Sequence, residues 1–143
     1  MIYQVLVAFI TVFFIAIVLK APKKALFYNA LSGLLSYFVY LITLEHANKI
    51  LAVLFAASVV ALCAHIFSRI LKIPTTVFLL PPLYLYVPGS LIYRAVYSLI
   101  INNVADFNHY LYQTLLTAGA IALAVFGMDS IFIIISNLKK KTS

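Results

Sequence analysis

The chain has 143 residues, 66% of them hydrophobic and 9% charged, with a mean hydropathy of +1.14. That leaves too little polar surface to coat a water-soluble globule, so the solvent is lipid, whose hydrocarbon core of about 30 Å is crossed by roughly 20 apolar helical residues. The net charge of +7 forms no nucleic-acid-binding face, because Lys20, Lys23 and Lys24, then Arg69 and Lys72, then Lys139, Lys140 and Lys141 each bracket an apolar run.

Residues 1–143 are predicted to form one all-α transmembrane domain of five helices. The first is Ile2–Leu19. Its lysines follow the apolar run and no small-residue cleavage site ends it, so it reads as a retained helix and not a secretory leader.

The second crossing, Ala25–Leu44, carries Asn29, Ser32, Ser36, Tyr40 and Thr43 at three- and four-residue steps, with Gly33 beside them. They share one helix face. That face serves either close helix packing or a translocation path.

The third crossing, Ile50–Leu71, places Ala57, Ala61, His65 and Ser68 on a similar stripe. His65 is the one histidine expected within a span. It is either a quietly hydrogen-bonded neutral ring or a proton relay. No second histidine or carboxylate lies at ligand spacing in the sequence, and Cys63 is the single cysteine, so neither a metal site nor a disulfide framework is expected.

Residues 73–101 are too many for one straight crossing: 29 helical residues would extend about 44 Å. Within them stand Pro81, Pro82, Pro88 and Gly89. Each proline removes an amide donor, and glycine admits unusual backbone angles, so the fourth crossing is predicted to be a broken helix. Irregular backbone at membrane depth survives only against protein or a watery cavity. After the break, Ser90, Arg94 and Ser98 recur every four residues on one face, with Ser90 near a half-helix start whose dipole favours an anion. The guanidinium of Arg94 suits a substrate carboxylate. Two other fates are open to it: an ion pair with Asp129, or snorkelling to the outer interface.

The fifth crossing, Leu111–Leu138, follows a polar loop at Asn102–His109 and lines up Thr117, Ala120, Ala124 and Gly127 as a small-residue groove. Asp129 lies ten residues before the lysine tail, roughly 15 Å deep. It is either structurally paired or a site for a coupling ion or proton. Cations gather at one end of these spans, which predicts a cytoplasmic C-terminus and an external N-terminus, with Lys49 the loop cation left outside.

Pro74, Phe78 and Pro81, the run VPGSLIY at Val87–Tyr93, the later TLLTAGAIALAVFG and the earlier ALFYNALSGLLSYFVYLI together resemble the threonine/serine exporter family, in particular its small five-span subunit. Tyr84 and Tyr86 depart from the aliphatic residues usual in that pattern. The resemblance implies gradient-driven efflux of threonine, serine or a similar small carboxylate across the cytoplasmic membrane. It also implies a larger, separately encoded partner subunit, and it carries over Pro88, Gly89 and Tyr93 as motif positions.

Substrate binding is accordingly expected at Ser90, Tyr93, Arg94 and Ser98, and ion or proton coupling at His65 and Asp129. No enzyme chemistry and no cofactor are expected, since the few polar residues are scattered over separate helices. Two rival readings are a structural or assembly subunit with no substrate site of its own, and a homo-oligomeric channel or small multidrug exporter. The first span lacks the embedded carboxylate that a small multidrug exporter uses to bind a cation.

Overall fold

The computed structural model describes residues 2–141, with side chains through Leu138. The side chains of Lys139, Lys140 and Lys141, which contribute to the predicted topology, lie outside that description. All regular structure in the described residues is helical: α1 Ile2–Val18, α2 Lys23–His46, α3 Lys49–Leu71, α4 Thr75–Leu83, α5 Gly89–Ile100 and α6 Val104–Lys141.

Three helices, α2, α3 and α6, are long and apolar enough to cross a membrane on their own. At 17 residues α1 is about 26 Å long, while α4 with 9 and α5 with 12 reach only about 14 and 18 Å. A membrane-embedded helical protein follows.

Local chemistry sets the boundaries. Pro22, Pro74 and Pro88 stand immediately before α2, α4 and α5. A missing amide costs nothing at a helix start, and proline disfavours helical geometry in the residue before it. Helices α1 and α5 both close with a backbone bond spanning five residues, Ala21 N to Ala16 O and Asn103 N to Ser98 O, around left-handed Lys20 and Asn102.

Two details differ from the sequence reading. Residues 104–109 are helical, not loop: the Asn103 side-chain oxygen Oδ1 accepts from the Asp106 backbone amide at 3.2 Å and the Asn103 Nδ2 donates to the Asp106 carboxylate at 2.7 Å. This reciprocal cap starts α6 early, with an acidic group at the positive end of its dipole. Gly89, expected to use its conformational freedom, does not adopt a positive φ. It is simply the first residue of α5.

Helix α2 is the hub, packed against α1, α3 and α4, while α6 rests on α3 and α5. The contact surfaces are made of small residues. Ala52, Ala56, Ala57, Ala61 and Ala64 of α3 are fully buried, as are Asn29, Ser32 and Ser36 of α2. Without a hydrophobic driving force between helices in lipid, such residues permit the close approach that dispersion needs. Gly33 is the tightest case. A Cβ there would sit 2.5 Å from Val12 Cγ2. On α6, Thr117, Ala120 and Ala124 are buried as a packed groove would require, but Gly127 is exposed and a Cβ on it would meet nothing. The groove is one turn shorter than its sequence pattern.

Candidate functional site

Helical hydrogen bonding stops after Leu83 and resumes at Gly89. Pro81 and Pro82 lie inside α4, fully buried, in its last turn. Lacking amide hydrogens, they cannot donate to the carbonyls of Val77 and Phe78. The chain then winds through Tyr84–Val87 by short turns, Leu85 N to Pro82 O and Tyr86 N to Leu83 O.

These turns drive Tyr86 into the bundle. Its ring is 5% exposed, packs with Val53, Ala56 and Val60, and its hydroxyl donates to Ser36 Oγ at 2.8 Å. Ser36 in turn donates to Gly33 O. Tyr86, where the family pattern usually has an aliphatic residue, therefore ties the irregular segment to the polar stripe of α2. Its aromatic neighbour is Tyr40, with centroids 5.8 Å apart, and Tyr40 stacks on Tyr37 at 5.6 Å.

Beside this aromatic group lies a cavity of about 210 Å³. Tyr37 and Tyr40 of α2, Lys49 of α3, Pro88 before α5, Ser90 of α5 and Thr117 of α6 all border it. It is the meeting point of four helices and the α4–α5 connection.

Of the four residues expected to bind substrate, Ser90 alone borders this cavity. The face shared by Ser90, Arg94 and Ser98 turns toward α6. Ser98 is buried and donates to Arg94 O at 2.8 Å, and the Arg94 guanidinium carbon lies 5.8 Å from the Tyr110 ring centroid. Tyr93, 70% exposed, stacks on Tyr97 along the outward side of α5. Apart from α6, no helix makes substantial contact with α5.

Asp129 does not pair with Arg94. Nineteen residues separate Tyr110 from Asp129 along α6, about 28 Å of helix, which keeps the two charges at opposite ends. The carboxylate instead meets His65 of α3, with Nε2 to Oδ1 at 2.5 Å. Among the described residues this is the only basic and acidic side-chain pair within ion-pair distance, and it is an ion pair when His65 is protonated. It replaces the Arg94–Asp129 ion pair that the sequence left open and brings the two candidate coupling residues together. Both residues lie within three turns of the lysine-bearing end, and that matched depth is the signal in the sequence that would have joined them.

The imidazole also stacks face to face on Phe132 at 4.4 Å, and Arg69, one turn farther along α3, sits 5.0 Å over the same ring. A second cavity, of about 240 Å³, opens beside the pair and is bordered by Thr75, Thr76 and Leu79. His65 is 17% and Asp129 42% exposed at the side chain, so the pair faces open space and not sealed core. No group of three or more His, Cys, Asp or Glu that could hold a metal occurs among the described residues.

One further feature is invisible to sequence pattern alone. Asn29 is 0% exposed, and both its amide atoms lack a hydrogen-bond partner among the described residues, while the neighbouring Ser32 hydroxyl meets only the Cys63 thiol. Unpaired buried polar groups are costly and uncommon.

No curated protein and no solved structure is matched by this chain. The family described as Threonine/Serine exporter, ThrE, is matched by residues 4–131. That stretch runs from the first helix through the irregular α4–α5 segment to just past Asp129. A membrane-embedded helical bundle with polar cavities is the architecture a transport function needs, and the chain belongs to the threonine/serine exporter family.

Proposed function

We propose that this chain is the small subunit of a two-part secondary exporter moving threonine, serine or a related small carboxylate out of the cell. It resides in the cytoplasmic membrane as a single five-crossing domain, N-terminus outside and C-terminus inside. Helices α4 and α5 make up the fourth crossing. Their lengths sum to about 32 Å, close to the hydrocarbon thickness that neither could span alone. An odd number of crossings is the unit that inverted-repeat transporters pair with a related half around a midplane site.

The observation that carries this reading is the interruption at Tyr84–Pro88 opening onto a polar cavity in an otherwise apolar chain. Backbone of this kind is tolerated at depth where it lines a solute path. Ser90 stands at the cavity. Tyr93, on the outward side of α5, and Arg94, beside Tyr110 of α6, contribute to substrate binding where the larger subunit docks, and Ser98 anchors Arg94's turn. His65 and Asp129 form the coupling pair near the opposite end: a proton taken from the cytoplasmic side is shared between imidazole and carboxylate. Asn29, whose amide has no partner among the described residues, and Ser32 beside it belong to the path between the two ends.

The test is efflux of preloaded labelled threonine or serine from cells lacking both subunits, complemented with either chain or both. Efflux is expected with both chains and not with this one alone, together with copurification in mild detergent. Transport by the small chain alone in liposomes would favour the homo-oligomeric reading. A stable complex whose efflux is indifferent to Arg94→Ala, Asp129→Asn and His65→Gln would favour a purely structural subunit.

A further inference from the structure

Lys49 is out of place by the charge logic of the rest of the chain. Through Leu138, the other lysines and Arg69 gather at the end where α1 meets α2 and α3 meets α4, whereas Lys49 opens α3 at the other end. Only Arg94, within α5, shares that half of the bundle, and a loop cation at the cation-poor end works against orientation in the membrane. No carboxylate among the described residues pairs with it.

What Lys49 does face is the cavity beside the α4–α5 interruption, in company with Tyr37, Tyr40, Ser90 and Thr117. Thr117 Oγ1 is occupied, donating to Gln113 O. The hydroxyls of Tyr37 and Tyr40 have no partner among the described residues, in contrast to that of Tyr86 just behind them. The cavity is thus bordered by one lysine and two tyrosines whose ammonium and hydroxyls are unengaged among the described residues, beside Val53, Leu85 and Val87. No acidic side chain borders it. At about 210 Å³ it is far larger than the roughly 10–15 Å³ that admits one water.

We propose that Lys49, Tyr37 and Tyr40 bind the carboxylate of a small organic acid or amino acid in this cavity. Lys49 supplies the charge and the phenols supply directional donors. Charge-assisted hydrogen bonds of this kind are about twice as strong as neutral ones, and they strengthen where the walls exclude water. The ligand class rests on the exporter reading: the cavity is where the exported solute is held on its way out. Arg94 lies over Tyr110 and does not border the cavity, so the cation that selects for a carboxylate within the cavity is Lys49.

The experiment uses the full chain in lipid nanodiscs and measures the unfolding midpoint and calorimetric binding with L-threonine, L-serine and the corresponding amino amides, which lack the carboxylate charge. The acids are expected to raise the midpoint of the wild-type chain and the amides are not. Lys49→Gln is expected to weaken binding by about tenfold or more, Lys49→Arg to retain most of it, and Tyr37→Phe or Tyr40→Phe to lose several-fold. Because Lys49 is exposed in the first turn of its helix, these variants should unfold at the wild-type midpoint without ligand. Equal binding by Lys49→Gln, equal binding of the amides, or no binding of either acid to the wild-type chain overturns the proposal. Cellular efflux separates this from the exporter reading. Efflux that needs the chain but is unchanged by Lys49→Gln defeats the Lys49 site and leaves the exporter reading standing. Carboxylate binding with no chain-dependent efflux does the reverse.

Discussion

Adding one methyl group at Gly33 tests the packing on which the bundle depends. A Cβ built there comes within 2.5 Å of Val12 Cγ2, 2.9 Å of Val12 Cβ and 3.3 Å of Val12 Cγ1. Carbon atoms in contact prefer about 3.5–4.0 Å, so the two helices must part by roughly 1 Å. Val12 cannot turn aside: it is fully buried, and a β-branched side chain in a helix has essentially one χ1 rotamer. The displacement therefore falls on the α1 backbone, which is held chiefly by α2 with a smaller contact to α4. Overpacking of this kind costs about 1–3 kcal/mol, and alanine in place of glycine in a helix returns at most about 1 kcal/mol. Gly33→Ala should thus destabilise the chain by about 1–2 kcal/mol. The assay is reversible unfolding in mixed micelles followed by far-ultraviolet circular dichroism. Gly127→Ala serves as the control, because nothing lies within 4 Å of its added Cβ and it should be neutral or slightly stabilising. Adding Val12→Ala removes two of the three clashing atoms and should recover part of the loss. Equal stability of Gly33→Ala and Gly127→Ala would refute the close approach of α1 and α2.

Tyr86→Phe removes one hydrogen bond to Ser36 and should cost about 1 kcal/mol; if the turn at Tyr84–Pro88 also shapes the cavity, threonine binding in nanodiscs should weaken with it. Asn29→Leu replaces an unpartnered buried amide with an apolar group of similar size and should leave stability equal or raised. If Asn29 lies on the solute path, the same variant loses efflux while remaining well folded; normal efflux would remove it from the path. Asp129→Asn and His65→Gln should each slow efflux at least tenfold while preserving complex yield, and should abolish its dependence on the proton gradient. Retention of that dependence in both would end the coupling proposal. With Cys63→Ser as background, a cysteine at His46 or Asp106 should react with an impermeant thiol reagent outside the cell, and one at Pro22 should not.

The threonine/serine exporter family was legible in VPGSLIY and its neighbours, and the membrane class in composition alone, because an apolar chain leaves lipid as its only compatible solvent. The polar stripe of α2 was legible too: a 3.6-residue period fixes which side chains share a face before any neighbour is known. Partners across helices were not, because a period says which residues stand together on one helix and nothing about which helix they meet. His65 and Asp129, 64 positions apart, join because α3 and α6 pack side by side, and the same geometry carries Asp129 about 28 Å from the level of Arg94. Likewise Lys49 reads in sequence as a stray loop charge. Only the convergence of α2, α3, α5 and α6 beside the Tyr84–Pro88 turn sets it beside Tyr37 and Tyr40 at one cavity, since a cavity is a property of surfaces that fail to close and not of any one segment.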